Sequence, residues 1–550
     1  MNEDILKEIR GRGLLLEKDI FELVDGMGDA KTVGDFLEKL ERFSGQKIIT
    51  KNVLNKNFEF VKSFVGNLGE ENKNYVENVF VKMGISLEIE RTVGSLTPRT
   101  PGSLEIVKEQ QISVGEKVGM QKMSEGLDYK IFYADTKPDK KLEVKDFVGH
   151  FRARYQEIQR ILMFRPEVQN DLRSIGKISS DRQQIAIIGI VKEKRVTKNK
   201  NMIITFEDLT GTINALVKPE KGEIFSKAEE LMLDDIVAVK ASGSREMLFV
   251  HDIFFPDAFN LNKTKFDEDA NILFLSDMHC GSDRHLEKSF NGFLEWINSE
   301  DENAKKAKYI FFVGDNVDGV GIYPGQERVL KLKSMKEQYI LLASYLERIP
   351  KRIQMFMCAG QHDAVRVAEP QPIISKRYAE PLYGIENLTL VTNPTLVKLL
   401  ERSGRTEKEF KVLMYHGASI HQFINEIKEL REMKAHKCPA KAVRHMLKRR
   451  HLSPVHGEAV YIPNEDKDPL VISEVPDVLC TGEVHKMDIE NYNGVLIVTG
   501  SCWQAQTDFE EKIGNIPEPG RVCMLNLKTR ELKVLDFLND AEIKDMEKVK

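Results

Sequence analysis

Six short apolar runs beyond residue 270 restrict the fold of this chain more than any other feature: NILFLSD, YIFFVGD, IQMFMCAG, FKVLMYHG, DVLCTGE and VLIVTGS. Near-continuous runs of this kind suit strands buried on both faces. Helical patterns alternate with them, which predicts an α/β layered fold. Five of the six end in a turn carrying Asp, His, Gln or Glu. Asp277 and His279 close the first, Asp315 the second, Gln361 and His362 the third, His416 the fourth, and Glu483 with His485 the fifth. The candidate ligands thus fall just past the carboxyl ends of strands, the edge at which open α/β sheets bind ligands. Oxygen and imidazole donors without cysteine suit Mn²⁺, Mg²⁺ or Fe²⁺ better than structural zinc. A two-metal hydrolase of phosphate esters is the expectation. Each turn alone reads equally well as ordinary turn chemistry; it is their joint recurrence that points to a site.

With 550 residues the chain is too long for one core and should form several domains. An apolar fraction of 41% beside 30% charged residues excludes a disordered chain. No apolar run reaches the roughly 20 residues needed to cross a bilayer. The charged start MNEDILKEIRGRG lacks the apolar centre of a signal peptide. Six cysteines without a C-x-x-C pair fit reduced thiols, and with these features predict a cytoplasmic protein. A net charge of −5 argues against uniform coating of DNA but leaves room for a local basic face.

Residues 1–85 read as a small helical domain, with Phe36, Leu37, Leu40 and Phe43 at helical spacing. It either docks another protein or caps its own chain. A flexible linker is expected over 86–140, its core being TVGSLTPRTPGSLEIV. Phe147, Phe151, Tyr155, Ile158 and Leu162 predict a helix over 144–164. Five β-branched runs follow, with the helical stretch EIFSKAEELM between the third and fourth, the pattern of an OB-fold barrel. Helix and barrel together would span 141–265. The cations Lys192, Lys194, Arg195, Lys198 and Lys200 cluster at one barrel hairpin, either to bind single strands or merely to be solvated.

In CPAKAVRHMLKRRHLSP, Pro439 suits the first position of a helix. Lys441, Arg444, His445 and Lys448 then share one face opposite Ala440, Val443 and Leu447. Arg449 and Arg450 continue the charge. With Arg366, these cations are the candidates for DNA-phosphate contacts.

The order D-x-H, G-D-x-x-D-G, a histidine–aspartate pair, H-G and a final x-x-H resembles the calcineurin-like metallophosphoesterases, which include double-strand-break repair nucleases. GDNVDGVGIYPGQ, HDAVRVAEPQP and LKRRHLSPVHG, with a barrel just before, make the chain similar to the small subunits of archaeal family-D DNA polymerases over roughly residues 145–540. The resemblance implies a multidomain protein: a four-layer α/β metallophosphoesterase domain over 266–550, preceded by the OB-fold and the small helical domain. It assigns one metal to Asp277, His279, Asp315 and His485. A second metal is bridged by Asp315 and completed by Gln361, His416 and Glu483, about 3.5 to 4 Å from the first. The ions implied are Mn²⁺ or Mg²⁺, with Fe²⁺ and Zn²⁺ as further candidates. His362 takes the general-acid role and Asp363 is its expected orienting partner. Two residues depart from the family pattern: Gln361 stands for Asn and Glu483 for the first His of G-H-x-H. The implied activity is proofreading 3′→5′ exonuclease, with an inactive scaffold as the alternative. The implied partners are a large catalytic subunit, primer–template DNA and a sliding clamp, with no membrane.

Overall fold

The computed structural model describes residues 127–539, apart from 137–140, 170 and 404–405. It also describes scattered positions before residue 77, a continuous stretch over 29–44 among them, and residues 541, 542 and 544. Residues 86–126 of the expected linker, its core at 92–107 included, lie outside the described residues. The chain divides into two units, Met1–Ile112 and Ser113–Lys550. In the first, Asp29 accepts from the backbone N–H groups of Lys31 and Thr32 and starts a helix over Ala30–Ser44. Its apolar face, Val33, Phe36, Leu37 and Leu40, is buried against Ile20, Leu23 and Val24.

The second unit begins with β1 (Leu127–Tyr133), then α1 (Val144–Met163). A closed barrel follows, made of β2 (Gln183–Val196), β3 (Met202–Asp208), β4 (Gly211–Val217), β5 (Ile236–Ser244) and β6 (Met247–Phe254). Helix α2 (Gly222–Glu230) lies between the third and fourth strands, as the sequence pattern predicts. Alternating residues of β2, β3 and β4 fill the barrel: Ile185, Ile187, Ile204, Phe206, Ile213 and Ala215. Helix α1 packs Tyr155, Ile158 and Leu162 on the outside of the barrel, and Tyr155 Oη donates to the Ile188 carbonyl at 2.9 Å.

Two six-stranded sheets make up the remainder. One has the order β10-β9-β8-β7-β16-β17, built from β7 (Asn271–Leu275), β8 (Ala307–Val313), β9 (Gln354–Cys358), β10 (Leu388–Leu390), β16 (Arg521–Asn526) and β17 (Leu532–Asp536). The other has the order β14-β15-β13-β12-β11-β1, with β11 (Thr395–Ser403), β12 (Thr406–Met414), β13 (Val478–Thr481), β14 (Asp488–Tyr492) and β15 (Val495–Thr499). Strands β7 to β10 are mutually parallel, and so are β12, β13 and β15.

Each run has two buried faces, which explains its unbroken apolarity. Ile272, Phe274, Tyr309, Phe311 and Phe356 of the first sheet meet Val397, Val412, Val478 and Val498 of the second in one shared core. The alternate residues Leu273, Leu275, Ile310, Phe312 and Met357 face outward under α3 (Glu287–Ile297) and α4 (Met335–Leu346). On the far side, Leu413, Leu479 and Ile497 pack under α5 (Ile420–Glu426) and α6 (Ala440–Arg449). The result is a helix–sheet–sheet–helix layering.

One expectation is corrected. Residues 127–133 lie within the predicted linker yet form β1, in antiparallel register with β11 from Leu127↔Glu401 to Tyr133↔Thr395. Their alternation places Tyr129 and Ile131 in the core between the sheets. The flanking low-complexity segment masked a seven-residue alternation. No helix among the described residues is long and apolar enough to cross a membrane.

Candidate metal centre

All eight candidate residues follow strand ends, from β7, β8 and β9 of one sheet and β12 and β13 of the other. Five adopt left-handed backbone conformations: Asp277 (φ 51°), His279 (45°), Asp315 (47°), Glu483 (73°) and His485 (59°). Such backbone costs about 1–2 kcal/mol for an L-residue, and it clusters at functional sites where the surroundings enforce it. Here cross-links between loops enforce it. Asp277 N donates to the Gly314 carbonyl at 3.1 Å, His279 N to the Asp315 carbonyl at 3.0 Å and Trp503 N to the Asp277 carbonyl at 2.9 Å. Gly360 and Gly482 admit this packing, since a Cβ on either would run into Asp315 Oδ1 or Asp277 Oδ2 respectively.

The donor atoms converge. His279 Nε2 and His485 Nε2 stand 3.1 Å apart. His485 Nε2 lies 3.6 Å from Asp277 Oδ1, and His279 Nε2 lies 3.9 Å from Asp315 Oδ2. On the other side of Asp315, His416 Nε2 is 3.3 Å from Oδ2 and 3.2 Å from Glu483 Oε2. Groups behind the imidazoles fix their orientation. Asp318 Oδ1 meets His279 Nδ1 at 3.1 Å, Glu510 Oε1 meets His485 Nδ1 at 2.8 Å, and the Val313 carbonyl meets His416 Nδ1 at 2.8 Å. With protons held at all three Nδ1 positions, the Nε2 lone pairs point inward. Two inward lone pairs 3.1 Å apart repel unless a cation or proton lies between them.

Asp277 Oδ2, Gln361 Oε1 and His416 Nε2 are buried and make no aligned hydrogen bond. Two of these atoms belong to Asp277 and His416, which with Asp315 bring ligand atoms within 4.8 Å of one another, and that fits a divalent cation site; backing each imidazole with an acceptor is how metal-ligating histidines are held. Electrostatics agree. Burial opposes charge on Asp315, but His416 and then His362 hold its carboxyl well below the usual range. Burial pushes the Asp277 carboxyl up; burial also opposes charge on His416, but Asp315, Glu483 and Asp277 together hold it well above the ordinary imidazole value.

His362 stands at the rim. Its backbone N–H donates to Asp315 Oδ1 at 2.9 Å, its Nδ1 meets the Asp318 carbonyl at 2.6 Å, and its Nε2 lies 4.0 Å from Asp315 Oδ2. Asp363 does not orient it, contrary to expectation. Asp363 Oδ2 instead accepts from Gly360 N and Asn316 Nδ2, and its Oδ1 from Tyr339 Oη, pinning the loop beneath the site. Burial, with the charge of Asp315, pushes the Asp363 carboxyl up to about 6. Sequence reasoning gave no role to Asp318 or Glu510. The first was visible as the second aspartate of GDNVDG; the second reads as part of a helix cap.

The basic segment is corrected as well. Arg449 is buried and pairs with Asp235 of the barrel at 2.9 Å. Arg450 is buried and donates to the Ile472 and Ser473 carbonyls at 2.6 Å. Lys448 reaches Glu230 at 2.5 Å; Lys441 and Arg444 reach Glu490 at 3.0 and 3.5 Å. Helix α6 therefore clamps the barrel to the second sheet, and Arg449 and Arg450 are unavailable to phosphates. Arg366 donates to the Ala368 and Pro370 carbonyls, bracing its own loop.

The family model for the B-subunits of DNA polymerases alpha and epsilon matches residues 272–488, which contain all eight candidate residues. Among curated relatives, the DNA polymerase II small subunit of Methanothermobacter thermautotrophicus is 35% identical over 401 residues, 72% of this chain and 80% of that protein. The chain belongs to the archaeal DNA polymerase II small subunits, the small subunits of family-D polymerase. The Pyrococcus horikoshii small subunit is 31% identical over 540 residues, covering 95% of this chain and 80% of that one. The Pyrococcus furiosus small subunit is 36% identical over 72% of this chain, and the match spans 64% of its length.

Proposed function

We propose that this small subunit is a metal-dependent 3′→5′ exonuclease that removes the terminal nucleotide of a primer. The observation that carries the proposal is the cage in which Asp277, Asp315 and His416 cluster, with Asp277 Oδ2 and His416 Nε2 making no aligned hydrogen bond and the His279 and His485 Nε2 atoms facing one another 3.1 Å apart. Asp277, His279, Asp315 and His485 would hold one divalent ion, and Asp315, Gln361, His416 and Glu483 a second. When bound, two such ions lower the pKa of a water and neutralise charge on the phosphoryl oxygens. Carboxylates, an amide and imidazoles suit Mn²⁺ or Mg²⁺. The layered sheets with ligands at strand ends support a metallophosphoesterase fold, and the five-stranded barrel an OB-fold.

The protein's own residues define the rest of the chemistry. His362 keeps Nδ1 on the Asp318 carbonyl, which aims Nε2 toward the cage. In its protonated form Nε2 gives a proton to the departing 3′-oxygen while a water oxygen bonds to phosphorus. Burial of the cage keeps these charges in a medium where they act strongly. A large polymerase subunit, a primer–template and a sliding clamp are the partners proposed. Lys441, Arg444, Lys448 and Arg366 retain some exposure and stay candidates for phosphate contacts.

An inactive scaffold is the second reading, favoured by the departures at Gln361 and Glu483. The test is release of nucleotide from a 3′-labelled mismatched primer with Mn²⁺. Wild type should release it, and Asp315→Ala and His362→Ala should each lose about 100-fold or more. No release by wild type, or equal release by all three, sinks the nuclease reading.

A further inference from the structure

Three site imidazoles follow one rule: the ring nitrogen faces the cage and an oxygen acceptor holds its back. The fourth position inverts that arrangement. Glu483 turns Oε2 toward His416 Nε2 at 3.2 Å, while Oε1 lies 3.8 Å from His421 Nε2. Here a carboxylate faces the cage and an imidazole stands behind it. His421 sits in the first turn of α5, immediately after the His416–Gly417 turn, so the loop that supplies one donor also supplies the backing for another. Gly417 makes the approach close, since a Cβ there would come 3.2 Å from Glu483 Cβ. The His421 ring also rests against His436, with centroids 5.3 Å apart, which limits its swing.

We infer that His421 is a positioning residue for the second metal, compensating for Glu483 at a position the resembling family fills with histidine. A carboxylate has two oxygens and pivots about its stem, whereas an imidazole presents one nitrogen. With the His421 ring 3.8 Å from Oε1, within ion-pair reach, attraction draws that oxygen away from the cage, leaves Oε2 as the inward donor and restrains the pivot. The pair reproduces the ordinary histidine–carboxylate couple with its two members exchanged. This inference rests on the two-metal reading above.

The test titrates the full chain with MnCl₂ by calorimetry and counts bound ions by electron paramagnetic resonance. Wild type should bind two ions. His421→Ala should keep the first and weaken the second about 10- to 100-fold, the usual cost of removing the support behind a ligand. Because His421 is 41% exposed, the variant should fold, and unchanged circular dichroism checks that. The exchanged variant E483H/H421D should recover at least half of the lost affinity on a logarithmic scale, and His436→Ala should retain both ions. Two equal wild-type-like sites in His421→Ala overturn the inference alone. An equal loss in His421→Ala and His436→Ala also overturns it, by assigning the ion to a surface histidine pair. Fewer than two ions in wild type overturns the two-metal reading itself.

Discussion

Asp318 supports two roles at once: its carboxylate backs His279 and its carbonyl aims His362, while Gln326 and Gln504 hold the carboxylate from behind at 3.1 and 2.9 Å. Asp318→Ala removes the carboxylate and keeps the carbonyl, so it should weaken Mn²⁺ binding about 10- to 100-fold by calorimetry and reduce nucleotide release no further than the lost metal accounts for. Gly360→Ala should cost about 1–3 kcal/mol of stability in a denaturant melt, because the new methyl group competes with Asp315 Oδ1 for the same space. At this scale the sequence was most informative where a donor ends a strand: local spacing alone placed the eight site residues at one edge. It was silent where a residue acts across the fold. Glu510 lies in a Thr507–Glu510 capping box and reads as helix punctuation, yet its other carboxylate oxygen holds His485. Asp363 erred in the opposite direction, adjacent to His362 in sequence and turned away from it in space.

Helix α6 shows why periodicity locates an element without naming its partner. The basic and apolar faces were legible, and the helix forms within one residue of its expected start. Glu230 and Asp235, which take up its charges, lie more than 200 positions earlier, in the barrel. Arg449→Met should destabilise the protein by about 3–5 kcal/mol, since it strands Asp235 as a buried unpaired charge. Arg449→Met with Asp235→Leu should recover most of that loss, because an apolar pair of similar volume replaces the ion pair. Paired thermal melts provide the check; equal destabilisation by the single and double variants would count against the clamp.

For the molecule as a whole, pH and metal act in separable ways. Burial pushes His285 and His451 down to about 4, so both are neutral in the folded protein where the unfolded chain would be protonated. A lowered imidazole contributes stability above its unfolded pKa near 6.5 and loses it as pH falls toward 4. Each contributes roughly 3 kcal/mol at neutral pH. With the metal chelated, urea midpoints should fall steadily between pH 6.5 and 4.5, and should also decline above 6.5 as the raised His416 gives up its proton in the folded protein. Saturating Mn²⁺ should raise the neutral-pH stability by about 2.7 kcal/mol per ion at 100 times its Kd. The proposed donors follow strands of both sheets, so the gain should appear as a shift of the main unfolding transition.

The order of synthesis has its own consequence for β1. Ala134 donates to Thr392, 258 positions downstream, and among the described residues β1 pairs with β11 alone. The whole barrel is made in between. A nascent chain therefore carries an unsatisfied strand edge bearing Tyr129 and Ile131 through more than 200 residues of translation, open to whatever extended segment it meets first. Fragments that stop short of residue 395 should aggregate through that strand, whereas the same barrel started after residue 141 should stay in solution.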